Sequence, residues 1–314
     1  MLDLPDIANF PDYRSETRYQ FADSQRDYDK RIYSLISGDF NGFVHNLDLS
    51  NAPWASKLEY FFDFYRRHQK PDYSVTELSK GVIAFKEDIS FLTKLVSEDI
   101  SYLMSLPDWT PPPGTFDRGK QMPHLAGIIQ EFFDSLGILN FSSDYIKKSL
   151  KVSNVVLHVS KPTDLHWKQF FYDAVTTPKY TNAHIDPKEC VVKSMIYLNK
   201  VNQKNGAFSY AISSNKNFIN PVQNIFGRAI STSSYCHSPE SRSSVFSLPS
   251  NLRVSHNFGR CLFPGMELWS YLEQKFRCIE SDDANIIVFD PGAGIHQGGI
   301  CTAGHRHALQ ILMK

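Results

Sequence analysis

Asn285-Ile286-Ile287-Val288-Phe289 leads directly into Asp290-Pro291-Gly292-Ala293-Gly294-Ile295-His296-Gln297-Gly298-Gly299. The apolar run is short, β-branched and aromatic, and Asp-Pro-Gly closes it, the pattern of a strand ending in a turn. Four further runs share that character, at 154–159, 190–198, 206–212 and 307–313. His184 and Asp186 precede the run at 190–198, His296 follows the one at 285–289, and Arg306 opens the last. Functional side chains at the mouths of several short strands describe a small antiparallel barrel. The expected fold is therefore mainly β with α: a double-stranded β-helix, or jelly roll, with N-terminal helices packed on it.

In an extended segment residues i and i+2 point the same way, so His184 and Asp186 of His184-Ile185-Asp186 can reach one metal ion. His296 adds a second imidazole once the chain folds. Two imidazoles and a carboxylate take one face of an octahedral iron(II) and leave the opposite positions open for substrate and O2. Arg306 is a planar, forked cation matched to a carboxylate. Other readings compete. Asp186 stands before Pro187 and could simply start a turn, and Arg306 could be a surface cation. Of the 11 histidines, His305 and His307 flank Arg306 but would share the strand face opposite to it. His158 reads as a packed core histidine. Lys193 and Ser194 face opposite sides of their strand, and one of them points inward.

The segments around these residues resemble the Fe(II)/2-oxoglutarate-dependent dioxygenases, most closely their phytanoyl-CoA dioxygenase-like branch. One such segment is His184-Ile185-Asp186 with its following strand and Asn205-Gly206-Ala207-Phe208, similar to that branch's turn into the next strand. Another is 285–296, similar to the strand leading to a distal histidine. The last is Arg306-His307-Ala308-Leu309, similar to the arginine opening the final strand. The resemblance spans residues 150–314 and implies that His184, Asp186 and His296 bind Fe(II) as the catalytic centre. It further implies that Arg306 holds the distal carboxylate of the cosubstrate 2-oxoglutarate. O2 would be consumed, succinate and CO2 released, and a small organic substrate hydroxylated, desaturated or cyclised. The carboxylate of Asp186 argues against halogenation. Gly298 departs from the family's frequent serine two residues after the distal histidine, and 213–283 matches no family pattern. The alternatives are a metal-dependent cupin-type enzyme, which would not need Arg306, and a non-catalytic jelly-roll binding protein.

Lys+Arg and Asp+Glu both number 33 in 314 residues, so no charge asymmetry points to nucleic acid or an anionic membrane. No apolar stretch of about 18 residues occurs, and Met1-Leu2-Asp3-Leu4-Pro5-Asp6 lacks the basic and apolar regions of a signal peptide. The expectation is a soluble, cytoplasmic protein whose partner is a small molecule; the oligomeric state stays open. Five cysteines, at 190, 236, 261, 278 and 301, are scattered without a CxxC pair, which favours reduced thiols.

The chain divides near residue 150. Before it the patterns are helical: an aromatic-rich stretch at 54–68, a capping box at Ser74-Val75-Thr76-Glu77 ahead of a helix through Ile83 and Phe85, and apolar spacing over 89–106 and 124–136. Pro107 and Pro111-Pro112-Pro113-Gly114 break the pattern, and Gly137 ends the last helix. Residues 1–150 are thus expected to cover the barrel. Residues 151–314 form its core with a long insertion at 213–283, all in one composite globule. The insertion carries Ser231-Thr232-Ser233-Ser234 and a helix at 268–276. Its polarity and its place between strands suit recognition of a hydroxylated, amide or sugar-like substrate.

Overall fold

A computed structural model describes residues 58, 60, 71–106, 117–162, 183–186, 191–217, 225–229, 256 and 267–314. Its strands are β1 (Val82–Phe85), β2 (Asp117–Gln121), β3 (Val152–Ser160), β4 (Val192–Tyr197), β5 (Phe208–Ala211), β6 (Phe276–Ile279), β7 (Ile286–Phe289), β8 (His296–Gln297) and β9 (Arg306–Met313). They pair antiparallel throughout, in a six-stranded sheet of order β1-β7-β4-β9-β3-β2 and a three-stranded sheet of order β6-β5-β8. The period of two sorts side chains onto two faces. Val155, Leu157 and Val159 of β3, Ile286 and Val288 of β7, and Leu309, Ile311 and Met313 of β9 pack on the helices. Ile287, Phe289 and Ala308 turn the other way, into a second cluster with Phe208 and Tyr210 of the smaller sheet. Two antiparallel sheets closed on a shared core, one covered by helices, make the expected jelly roll.

The covering helices are α1 (Ser90–Leu95), α2 (Ser97–Ser105), α3 (Ala126–Ser135) and α4 (Ile138–Ile146). Leu92, Leu103, Ile129, Phe133 and Ile146 are their buried face. The pattern over 89–106 is two helices rather than one, because Val96 leaves helical geometry at φ −110°. Gly137 ends α3's turn in the left-handed region, φ 70°, where glycine alone carries no Cβ penalty. Helix α4 was not anticipated from the sequence.

The capping box at Ser74–Glu77 does not start a helix through Ile83 and Phe85. Asp72 takes the Ser74 amide and hydroxyl instead, the chain turns, and Gly81 at φ 82° breaks any helix. Val82–Phe85 then pairs with β7, Val82 opposite Phe289. Strands β1 and β2, both before residue 150, are the two edges of the large sheet, and β6 supplies an edge of the small sheet from within the supposed insertion. The helix expected at 268–276 is present at Glu267–Lys275. Of the stretch at 54–68, Leu58 and Tyr60 are helical, the first buried and the second exposed. The rest of it, the proline run and the serine-rich stretch at 231–244 lie outside the described residues.

Both sheets and α1–α4 belong to one compact unit; residues 183–186, 225–229 and 256 belong to another. Among the described residues no helix is long and apolar enough to cross a membrane. Of the described cysteines, Cys278 is exposed and Cys301 buried, and neither is in a disulfide.

Candidate metal centre

His296 enters the smaller sheet through the turn that follows β7, and one carboxylate organises that turn. Oδ1 of buried Asp290 accepts the amides of Gly292 (2.9 Å) and Ala293 (3.0 Å), while its backbone carbonyl accepts Gly294 N at 3.3 Å. Its Oδ2 accepts the Tyr145 hydroxyl at 2.8 Å. Tyr145 in turn accepts Nδ2 of Asn215 at 2.9 Å, and the Asn215 carbonyl accepts the Tyr73 hydroxyl at 3.0 Å. A side chain on Gly294 would place its Cβ 1.5 Å from Oη of Tyr210, so only glycine fits there. Ile295 N then donates to Ser214 Oγ at 2.8 Å, and His296 pairs with Tyr210. Burial, and after it the Asp290 carboxylate, push the Tyr73 phenol up to about 12 and the Tyr145 phenol further still. Both remain neutral donors.

The His296 ring is buried beside Phe289 and Phe208, with centroids at 5.1 and 5.9 Å. Its Nδ1 lies 3.0 Å from the Gly294 carbonyl. A carbonyl only accepts, so Nδ1 carries the proton and Nε2 presents its lone pair, the tautomer a metal requires.

Arg306 opens β9 opposite Ser160 and on the face of Ala308. It is buried, and its Nη1 donates to the carbonyls of Gly206 and, at 3.4 Å, Gly299. Those two glycines are packed so closely that a Cβ on Gly299 would lie 2.6 Å from the Ala207 carbonyl. A Cβ on Gly298 would meet nothing nearer than Arg306 Nη1 at 3.8 Å, which leaves room for the serine that the resemblance would have placed there.

The His184–Asp186 segment alternates as an extended chain should. Ala183 and Ile185 are buried, whereas His184 and Asp186 are half-buried with Nε2 and Oδ1 3.3 Å apart. The segment's backbone is held on both sides of that pair. Ile185 N donates to the His256 carbonyl at 3.0 Å, and Arg228 Nη1 donates to the Asp186 carbonyl at 3.0 Å.

His184, Asp186 and His296 each offer one ligand atom, and these atoms lie within 4.8 Å of one another, the group among the described residues that could hold a metal ion. The donor set, two imidazoles and one carboxylate, suits Fe(II), and its softness excludes neither Ni(II) nor Zn(II). The competing histidines fall elsewhere. His307 lies on the face of β9 that carries Leu309, opposite Arg306, and burial followed by the neighbouring His305 lowers its pKa. His158 is tied to Gln310 at 3.1 Å. Ser194 is the buried member of its pair, on the face of Val192 and Ile196. Asp290, Tyr145, Arg228 and His256 were not singled out from the sequence. Asp-Pro-Gly after a strand was a usable sign for Asp290, since an Asp there bonds the amides ahead of it; no such sign marks Arg228.

No family model matches the chain, and no curated protein does. Among solved structures it is similar to the non-heme α-ketoglutarate-dependent epimerase SnoN from nogalamycin biosynthesis, at 11% identity over 76% of this chain and 80% of that one, TM-score 0.44. It is also similar to EctD from S. alaskensis with 2-oxoglutarate and 5-hydroxyectoine, at 11% identity over 77% and 74%, TM-score 0.44. A third is HygX from Streptomyces hygroscopicus with nickel and 2-oxoglutarate, at 15% identity over 75% and 84%, TM-score 0.38. With TM-scores below 0.5, the chemistry of this chain rests on its own residues.

Proposed function

We propose that this chain is an Fe(II)/2-oxoglutarate-dependent oxygenase acting on a small, polar organic substrate. The observation that carries the reading is the donor set His184, Asp186 and His296, with their ligand atoms within 4.8 Å. Arg306 supports it, being a buried fork on the face of the large sheet that turns toward the small one. When bound, iron and the keto acid supply the oxidising chemistry, in which O2 and 2-oxoglutarate give succinate, CO2 and an oxidised substrate. The chain supplies the rest. His296 is locked in one tautomer by the Gly294 carbonyl, and Phe208 and Phe289 shield its ring from water. The carbonyls of Gly206 and Gly299 fix Arg306, so its fork is oriented before a carboxylate arrives. Placement on the phytanoyl-CoA branch, and hydroxylation as the outcome, rest on the sequence resemblance alone.

Anaerobic titration with Fe(II) and then 2-oxoglutarate tests the reading. A weak visible charge-transfer band is expected, together with succinate release in air. His184→Ala, Asp186→Ala and His296→Ala should each abolish iron binding and leave the far-ultraviolet circular dichroism intact. Full iron affinity in all three variants would overturn the assignment, whereas copurified nickel or zinc would not, since N/O sites take those ions by raw affinity.

A further inference from the structure

We infer that Arg228 is a positioning residue for the proposed metal ligands: it holds the His184–Asp186 segment in place from within the stretch that the sequence suggested was a specificity insertion. This rests on the assignment of His184 and Asp186 as ligands. A two-residue repeat presents both side chains to one point only while its backbone stays extended. Here the peptide groups flanking the pair are each anchored. Ile185 N is held by the His256 carbonyl and the Asp186 carbonyl by Arg228 Nη1, both at 3.0 Å.

The anchor itself is rigid. Residues 225–229 form a helical turn whose members are all buried, and the Arg228 side chain is 1% exposed. Gly227 brings the turn's backbone against the His256 ring, where an added Cβ would stand 2.7 Å from Cδ2 and Nε2. The two anchors of the segment are therefore packed on each other. Burying a guanidinium is costly, and a neutral donor could satisfy a carbonyl. What arginine adds is reach and a planar group that, once packed, has one orientation.

Co(II) is the probe, because its visible spectrum reports ligand geometry directly and needs no turnover. Arg228→Met keeps the length and apolar bulk of the stem and removes the donors. The variant should remain folded by circular dichroism, bind Co(II) on the order of 10–100-fold more weakly, and show an altered visible band. If Arg228→Met does not fold, Arg228→Gln, which keeps a donor but lacks the span to the Asp186 carbonyl, is read in its place with the same expectation. Affinity and band equal to those of the unaltered protein, in whichever variant folds, would overturn the inference. His296→Ala, run alongside, separates the two levels: if the unaltered protein and His296→Ala bind Co(II) equally, the metal-centre reading has failed. If only His296→Ala loses binding and the Arg228 variant does not, the positioning role alone has failed.

Discussion

Tyr145→Phe should be strongly destabilising, because deleting one atom breaks two buried hydrogen bonds. The hydroxyl sits in a directed chain: Asn215 Nδ2 donates to it at 2.9 Å, and it donates to Asp290 Oδ2 at 2.8 Å, all in the buried interior. A hydrogen bond to a charged group contributes about 1.5–3 kcal/mol and a neutral one about 0.5–1.5, so the loss is about 2–4.5 kcal/mol. Against a domain stability of about 5–15 kcal/mol that is a large fraction. Asp290→Asn attacks the same link from the other end. Its carbonyl can keep the amides of Gly292 and Ala293, but its new NH2 faces a hydroxyl that already accepts from Asn215. Tyr145 would then have two donors before it and no acceptor for its own proton. That conflict vanishes in the double variant, which should therefore destabilise less than the sum of the singles, with a coupling of about 1 kcal/mol or more. Urea unfolding measures all four proteins, provided m stays constant. A loss below about 0.5 kcal/mol for Tyr145→Phe, the range of surface changes, would refute the chain of bonds as drawn.

Arg306→Lys should raise the Michaelis constant for 2-oxoglutarate on the order of tenfold or more, because a point charge cannot reproduce a forked pairing. Iron affinity should hardly change, and an unaltered 2-oxoglutarate dependence would remove Arg306 from the proposed role. Adjacent glycines should respond in opposite ways. Gly298→Ser has room beside Arg306 and should fold normally, with 2-oxoglutarate bound about equally or up to ~10-fold more tightly from one added hydrogen bond. Gly299→Ala drives a Cβ to 2.6 Å from the Ala207 carbonyl and should lower the melting temperature clearly. A destabilised Gly298→Ser and a normal Gly299→Ala would contradict the packing there. Finally, buried tyrosines make stability fall in alkali. Tyr73 titrates at about 12 in the folded protein and near 10 when unfolded. Stability from this source is complete below about pH 10 and is lost as pH rises through the folded value, since only the unfolded chain sheds the proton. Tyr145 and Tyr197 are shifted in the same direction, mainly by burial. Urea midpoints should decline above about pH 10, less steeply in Tyr73→Phe.

The strands legible in the sequence were apolar runs, some alternating buried with half-buried positions, as Val192–Tyr197 and Arg306–Met313 do. Ile286–Phe289 is buried at every residue and reads as a continuous apolar run. The edge strands were not legible, because an edge needs no such run. Asp117–Gln121 has only its backbone to recommend it, and Val82–Phe85 carried a helical pattern that pairing with β7 overrode. The candidate ligands and Arg306 could be found because their chemistry is rare for their spacing. Arg228 could not, since a lone arginine on a helical turn is ordinarily solvated, and only its burial distinguishes it.

The candidate ligands were read from short-range features, whereas the residues that place them come from far along the chain. A strand of two residues, β8, cannot hold His296 by ladder bonds alone. The turn before it is accordingly nailed down by Asp290, whose carboxylate reaches Tyr145 on α4, 145 residues away in sequence. The His184–Asp186 segment is met by Arg228, 42 residues on. Apolar packing would give adhesion without direction, but a hydrogen bond to a backbone carbonyl or amide fixes where a peptide plane points, and with it the side chain two bonds away. Among the described residues, a buried polar side chain of this kind stands beside each of the two candidate ligand segments, Asp290 beside the one and Arg228 beside the other.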